Sequence, residues 1–248
     1  MAIKLHFLAD KNPTAMQALR ACIKRYGQSD LDKADVVIVL GGDGFMLKTL
    51  QALLNYQIPV FGLNFGHVGY LLNHYAPDGL PDRVAKARQV HLTPLSVKVK
   101  PFSANPVEAY VFNDASITRQ SPQAARLTTL ITDEKKGQPI IMQETVFGDG
   151  LLVSTPSGSS GYYVSAGGAS FSESERVIGV KSICSKQNFN PILSENAHVV
   201  VTPQEAVKRP IQLDLDGKKR IKNVEIALIE SDPRKIQTLL VERQQNNR

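Results

Sequence analysis

The chain has 248 residues, of which 42% are hydrophobic and 21% charged, and a formal net charge of +6. This composition is typical of a globular protein of one or two domains, and no apolar window reaches the roughly 18 residues of a membrane-spanning helix. The N-terminus lacks the features of a signal peptide, so we expect a cytoplasmic protein without a membrane partner. The positive charge favours a phosphorylated small molecule over a nucleic acid, because no nucleic-acid-binding motif accompanies it.

Strands and helices alternate over the first third of the chain. Strands are predicted for Ile3 to Ala9, Val36 to Leu40 and Pro59 to Leu63. Helices are predicted after Asn12-Pro13 and for about Phe45 to Asn55, with a further short helix around Pro81 to Arg88. This alternation predicts an α/β domain with a Rossmann-like parallel sheet over residues 1–93, whose ligands bind beyond the carboxyl ends of the strands.

The pattern changes near His91, after which strands follow one another without long helices between them. Predicted strands cover Leu95 to Lys100, Glu108 to Phe112, Ala115 to Arg119, Arg126 to Thr132, Ile140 to Thr145, Leu151 to Ser154, Ala197 to Val201, Ile211 to Asp216 and Asn223 to Ile229. We therefore predict a β-rich, β-sandwich-like domain over residues 94–230, with one helix from Ser159 toward Ala166. Residues 231–248 fit a helix or a strand, and we expect them to pack on the N-terminal domain.

A glycine-rich turn carrying one carboxylate follows the second predicted strand. Gly41-Gly42-Asp43-Gly44 has neither the Lys-Ser/Thr of a Walker A loop nor the Gly-x-Gly-x-x-Gly spacing of a hydride-transfer dinucleotide site. Glycines admit a ligand closely, and the following helix offers N–H groups to an anion. A carboxylate repels phosphate unless it holds a cation or accepts a proton, so Asp43 indicates chemistry. A tight turn built from structural glycines remains the alternative for this motif alone.

Three further segments carry polar groups at strand ends. Gly62 to Leu71 contains Asn64 and three glycines, and Asp149 to Tyr162 opens from a strand into a hydroxyl-rich loop and a helix start. Hydroxyls and helix-terminal N–H groups suit ribose, amide and phosphate oxygens. Asn113-Asp114 can bind the vicinal hydroxyls of a ribose, because each hydroxyl both donates and accepts. Taken singly, each segment is also explained by a turn or a helix cap.

Together these four segments resemble the NAD kinase family. That family has, in this order, a Gly-Gly-Asp-Gly turn, a Gly-x-Asn-x-Gly-x-x-Gly-Phe-Leu segment, an Asn-Glu pair and an Asp-Gly-x-x-x-Ser-Thr-Pro-Thr-Gly-Ser-Thr-Ala-Tyr loop. The resemblance spans Gly41 to Gly168. It implies phosphorylation of the 2′-hydroxyl of NAD's adenosine ribose to give NADP, with ATP or polyphosphate as donor and Mg²⁺ or another divalent cation as cofactor. It also implies a homo-oligomer, a dimer or a tetramer.

The resemblance assigns roles only to matching residues. Asp43 is the implied catalytic residue and a candidate metal ligand, and no other metal ligand is assigned. The implied nucleotide-binding residues are Gly42, Asp43, Gly44, Phe45, Asn64, Asn113, Asp114, Asp149, Thr155, Ser157, Gly158, Ser160 and Tyr162.

The chain departs from the family pattern at several of these positions and beyond them. Asp114 replaces the usual glutamate, Ser157 and Ser160 replace threonines, and Gly161 replaces alanine. The Leu-Thr-Pro-Ile-x-Pro-His segment is absent around residues 181–196, so its contacts cannot be carried over. Asp216-Gly217 matches a late Asp-Gly of the family, although a β-turn explains it equally well.

Three other functions stay open at this stage. A lipid or sugar kinase shares the Gly-Gly-Asp-Gly turn but does not need the Ser-Thr-Pro-Ser-Gly loop. A catalytically inactive NAD-binding module does not need Asp43. An NAD-dependent oxidoreductase is disfavoured because its glycine fingerprint is missing.

Overall fold

The computed structural model describes residues 3–135 and 138–241. Its described residues up to Leu92 and from Arg234 onward form one compact unit, and Thr93–Pro233 form a second. The fold-class prediction is confirmed: the N-terminal part is α/β and the C-terminal part is rich in strands. Within the described ranges, no helix is long and apolar enough to cross a membrane.

Helices and strands alternate up to residue 92. In chain order the elements are β1 Leu5–Ala9, α1 Pro13–Tyr26, a 3₁₀ turn Leu31–Lys33, β2 Val36–Gly41, α2 Asp43–Leu53, β3 Val60–Asn64, α3 Leu80–Lys86 and β4 Arg88–Leu92.

Strands dominate the rest of the described chain. They are β5 Leu95–Pro101, β6 Val107–Val111, β7 Asp114–Arg119, β8 Ala125–Lys135, β9 Gln138–Gly148, β10 Gly150–Ser154, β11 Val177–Ile183, β12 Ile192–Ser194, β13 His198–Pro203, β14 Ile211–Leu215, β15 Lys219–Lys222, β16 Val224–Ser231 and β17 Ile236–Leu240. A short π-helical segment, Ser159–Tyr163, follows β10.

The first unit is built on one five-stranded sheet in the order β1-β2-β3-β17-β4. Strands β1, β2 and β3 are parallel, whereas β17 is parallel to β3 and antiparallel to β4. Residues Val36 to Leu40 are all buried, as expected for a parallel strand covered on both faces. Parallel pairing brings the carboxyl ends of β2 and β3 to one edge, where Gly41 is paired with Asn64.

The chain returns to this sheet through β17, which resolves the choice between helix and strand for residues 236–240. The amide of Asn73 donates to the carbonyl oxygens of Gly62 and Leu239, both at 3.0 Å, and its Oδ1 accepts from Val241 N–H at 2.7 Å. Strand pairing on both sides therefore outweighs the helix-like Asp232-Pro233 start. Residues 242–248 of the predicted C-terminal segment lie outside the described residues.

The second unit contains two six-stranded sheets in the orders β12-β11-β10-β7-β14-β15 and β6-β5-β16-β13-β8-β9. Each strand pair is antiparallel, and alternate residues of both sheets form one shared apolar core, including Ile117, Val153, Val97 and Val199. This is the predicted β-sandwich. In the β12-β11-β10-β7-β14-β15 sheet, the alternate side chains that point away from this core include Asp114, Ser116 and Thr118, and they are available for other contacts.

Several elements differ from the predictions. Strands β4, β11, β12 and β15 were not predicted, and the helix expected from Ser159 is a π-helical turn interrupted at Gly161. In β11, the buried Lys181 and Ser182 break the apolar pattern, and the Lys181 ammonium donates to the Asn188 amide oxygen. In β15, charged side chains mask a strand that is defined by its pairing with β14.

Candidate active site

The turn after β2 places Asp43 at the first position of helix α2. Gly42 is the N-cap residue, and its carbonyl oxygen accepts from Phe45 N–H at 2.9 Å and Met46 N–H at 3.0 Å. A Cβ atom on Gly66 would lie 2.8 Å from the Cα atom of Gly42, closer than side chains tolerate. The loops after β2 and β3 thus touch through glycine backbone, which explains the glycines at both strand ends.

Backbone donors hold the Asp43 carboxylate in place. Gly69 N–H donates to Oδ2 at 2.8 Å, and Leu71 N–H donates to Oδ1 at 3.3 Å. A carboxylate has about four acceptor positions, so each oxygen can still bind a proton, a cation or a hydroxyl. Asp43 is half-buried and lies at the positive end of the helix dipole, where a negative charge is stabilised.

Asn64 shapes the loop after β3. Its Oδ1 accepts from Gly66 N–H at 2.8 Å, and its Nδ2 donates to the Val68 carbonyl at 3.4 Å. These contacts position the segment that supplies the donors of Asp43. The predicted site residues of the first unit, Gly42 to Phe45 with Asn64, therefore form one connected structure.

In the second unit, the segment Phe112 to Asp114 is fixed by the carboxylate of Asp216. Oδ1 accepts from Asn113 N–H at 2.7 Å and Asp114 N–H at 3.3 Å, and Oδ2 accepts from Phe112 N–H at 3.1 Å. Asp216 is 9% exposed. The sequence motif Asp216-Gly217 is thus more than a β-turn, because its carboxylate organises the Asn113-Asp114 pair.

The hydroxyl-rich loop after β10 donates hydrogen bonds to the backbone carbonyls of Phe112 and Asn113. Thr155 Oγ1 and Ser157 Oγ each donate to the Phe112 carbonyl at 2.6 Å, and Thr155 N–H donates to the Asn113 carbonyl at 2.9 Å. A Cβ atom on Gly158 would lie 2.2 Å from the Asn113 carbonyl oxygen. Glycine is therefore required at residue 158, and the two loops form one rigid unit.

The side chains divide into those used inside the fold and those left accessible. Thr155 is 1% exposed, and its hydroxyl also accepts from Gly158 N–H, so it positions the loop. In the described residues, the side-chain polar groups of Asn113, Asp114, Ser160 and Tyr162 have no hydrogen-bond partner. An unpartnered, half-buried carboxylate such as Asp114 is costly, which indicates a site built for a ligand.

The charge of Asp114 depends on its surroundings. Burial first, and the nearby Asp216 second, raise the pKa of the Asp114 carboxyl to about 6. Burial also raises the pKa of Asp216, although its three backbone N–H donors and Lys218 oppose the shift. Asp114 is thus ionised only above mildly acidic pH, and then it can accept hydrogen bonds from two hydroxyls.

Asp149 lies on an open cavity of about 480 Å³ within the second unit. Its Oδ1 accepts from Arg119 Nε at 2.6 Å. The cavity is lined by Thr118, Arg119, Gln120, Ser121, Pro122, Asp149, Tyr162 and Ile183. Asp149 and Tyr162, two predicted site residues, therefore share one cavity, and Arg119 is a lining residue that no sequence motif indicated.

Family models match most of the chain. The ATP-NAD kinase N-terminal domain matches residues 5–83, and the ATP-NAD kinase C-terminal domain matches residues 120–235. The chain belongs to the NAD kinase family. It is therefore a phosphotransferase.

One curated member of the NAD kinase family, from Cereibacter sphaeroides, is 36% identical over 236 residues, covering 93% of this chain and 89% of that protein. Two solved structures share the fold. Yeast NADH kinase complexed with NADH has a TM-score of 0.79 at 18% identity, covering 98% of this chain and 84% of that one. An NAD kinase from Archaeoglobus fulgidus in complex with ATP has a TM-score of 0.70 at 20% identity, covering 95% and 93%.

Proposed function

We propose that this chain transfers a phosphoryl group to the 2′-hydroxyl of the adenosine ribose of NAD, giving NADP. The geometry of Asp43 carries the proposal: a carboxylate is fixed by two backbone N–H groups at the N-terminus of a helix, in a turn open to a ligand. Phosphoryl transfer requires mainly positioning and charge stabilisation, which such a site can supply.

Asp43 would orient the attacking hydroxyl and accept its proton late in the transfer. The pKa of an alcohol lies far above 7, so full deprotonation before attack is unfavourable, and a hydrogen-bonded carboxylate lowers the barrier without it. The positive end of the α2 helix dipole would attract phosphate oxygens to this turn.

A divalent cation fits this arrangement with one protein ligand. The described residues contain no group of three metal-binding side chains, but each oxygen of Asp43 retains acceptor capacity beside its backbone donor. Magnesium commonly takes one or two carboxylates and completes its shell with phosphates and water. When bound, the cation would neutralise phosphate charge. Asp43 would be its protein ligand.

The second unit would bind the dinucleotide. Asn113 and Asp114 have free side-chain donors and acceptors for the hydroxyls of a ribose, and Ser160 and Tyr162 offer a hydroxyl and an aromatic face. Thr155, Ser157 and Gly158 would act by holding Asn113 in position. Asp216 joins them as a positioning residue.

The donor, the assembly and the location remain predictions. We expect ATP or polyphosphate as donor, a dimer or tetramer, and a cytoplasmic location. Light scattering of the purified protein measures the assembly state, and parallel assays with each donor identify the phosphate source.

The decisive experiment is NADP formation by purified protein incubated with NAD, Mg²⁺ and either ATP or polyphosphate. We expect Asp43→Asn to lower turnover by about 100-fold or more, the usual effect of removing a general base. Asn retains an oxygen for one backbone donor, so circular dichroism should be unchanged. Asp32→Asn, at an exposed position in the same unit, is the matched control and should keep full activity.

Each alternative function predicts a distinct result. An inactive NAD-binding module binds NAD and forms no NADP, whereas a lipid or sugar kinase phosphorylates those acceptors in place of NAD. Near wild-type NADP formation by Asp43→Asn would refute the assigned role of Asp43.

A further inference from the structure

The ion pair between Arg119 and Asp149 is rigidly held beside the cavity of the second unit. Arg119 Nε donates to Asp149 Oδ1 at 2.6 Å, and its Nη1 donates to the Ser121 carbonyl at 2.8 Å. The two backbones are also joined, since Arg119 N–H donates to the Asp149 carbonyl at 3.0 Å. A planar guanidinium held at two points fixes the direction of the carboxylate that it contacts.

The chain that follows Arg119, at the end of β7, is also anchored. Gln120 N–H donates to the Pro210 carbonyl at 2.9 Å, and its side-chain amide donates to the Ile211 carbonyl. Asp149 N–H donates to the Ile183 carbonyl at 2.8 Å. Both members of the pair are therefore held in place before a ligand arrives, as expected for a binding site and unnecessary for a surface ion pair.

The cavity beside this pair suits a planar ring that carries an amino group. The aromatic side chain of Tyr162 is 43% exposed and lines the cavity, so it offers a stacking face. Asp149 Oδ2 has no partner among the described residues and can accept from an exocyclic NH₂ group. Each ring system of NAD carries such a group, and one of them, the nicotinamide ring, changes its charge on reduction.

The net charge of the Arg119–Asp149 pair affects how strongly each redox form of the nicotinamide ring is bound. A carboxylate without an ion-pair partner beside the cavity would attract the positively charged, oxidised nicotinamide ring. The reduced ring is neutral, so the same carboxylate would not attract it in this way. Arg119 cancels most of this field, because its guanidinium is permanently charged and contacts the carboxylate directly. The carboxylate then acts as a hydrogen-bond acceptor and hardly as a charge.

We propose that Arg119 is a specificity-determining residue that orients Asp149 toward a nicotinamide ring in this cavity and lowers the preference for oxidised NAD over NADH. This inference rests on the proposed function, because it takes a nicotinamide dinucleotide as the ligand. It extends that function by assigning the choice between the two redox forms to a residue outside the family motifs.

The test compares NAD with NADH in Arg119→Met, which removes the charge and keeps most of the side-chain length. The ratio of the dissociation constants, NADH over NAD, should rise by roughly fivefold to tenfold, the effect of one uncompensated charge about 5 Å away in a partly solvated site. Titration calorimetry measures this ratio without turnover. The KM ratio in the NADP-forming and NADPH-forming assays should change in the same direction.

Two further variants separate charge from structure. Arg119→Lys keeps the charge and should keep the wild-type ratio, even if both dinucleotides bind less tightly. In the double variant Arg119→Met/Asp149→Asn neither charge remains, so the ratio should return to about the wild-type value. The enlarged ratio of Arg119→Met should also shrink as salt is raised from 50 to 500 mM, because the uncompensated charge is partly exposed.

Arg176→Met is the matched control. Arg176 forms an ion pair with Glu195 at 2.5 Å but does not line the cavity, so its loss should leave the ratio unchanged. An unchanged ratio in Arg119→Met, or an equal change in Arg176→Met, would overturn the proposal. Failure of the proposed function has a different signature: the wild-type protein would form neither NADP nor NADPH, while the binding ratios would still test Arg119.

Discussion

Replacement of Asp114 by asparagine should stabilise the protein at neutral pH and inactivate it. The carboxyl pKa of Asp114 is raised from 3.8 to about 6, mainly by burial and then by the charge of Asp216. Because the folded-state value lies above the unfolded one, the group favours folding below about pH 4. That contribution is lost as pH rises through about 6.

The size of the effect follows from the shift. A change from 3.8 to about 6 corresponds to ~3 kcal/mol of preference for the protonated form, so ionised Asp114 costs that order of free energy above pH 7. Asparagine has nearly the same shape and carries no charge. We expect Asp114→Asn to be about 1–3 kcal/mol more stable than wild type at pH 8, with the difference falling to about a third of that value at pH 4.5.

The assay is urea unfolding of wild type, Asp114→Asn and Glu134→Gln at both pH values. Glu134 is exposed in the same unit and serves as the control for removal of a carboxylate. The kcat/KM for NAD should rise with pH through about 6 in the wild type, as Asp114 ionises. Asp114→Asn should lose most of the activity, and its remaining kcat/KM should not show this rise. A stability difference that is the same at pH 4.5 and pH 8 would refute this reasoning.

Two other substitutions test the loop architecture. Gly158→Ala should raise the KM for NAD at least tenfold in steady-state kinetics, because its Cβ atom would collide with the Asn113 backbone; full activity would show that the loops are not rigidly joined. Tyr163→Phe removes a 3.0 Å hydrogen bond to the Asn190 amide oxygen beneath the same loop and should cost about 1 kcal/mol in chemical unfolding. Val207→Ala, at an exposed position, is its control and should leave the unfolding midpoint unchanged.

The predicted and observed elements agree best where local signals are strong. The apolar run before Gly41, the N-cap and proline of α1 and the alternating strands of the sandwich are short-range patterns, and the structure contains these elements. The family motifs also lie in continuous segments of the chain. The family, the α/β N-terminal part and the strand-rich C-terminal part could therefore be predicted before any tertiary contact was known.

Contacts between distant segments decided the rest. Strand β17 is defined by its pairing with both β3 and β4, and β11 tolerates the buried Lys181 because the ammonium donates to the Asn188 amide oxygen. The Asp216-Gly217 motif was visible in the sequence, but Asp216 lies about 100 residues from the N–H groups that it accepts from, and Arg119 lies 30 residues from Asp149, so these contacts could not be predicted from spacing. By itself, the sequence determined the family and predicted that Asp43 and Asn113-Asp114 carry the chemistry. Only the tertiary structure decided which polar groups are used inside the fold and which remain for a ligand, because hydrogen-bond partners are set by proximity in space.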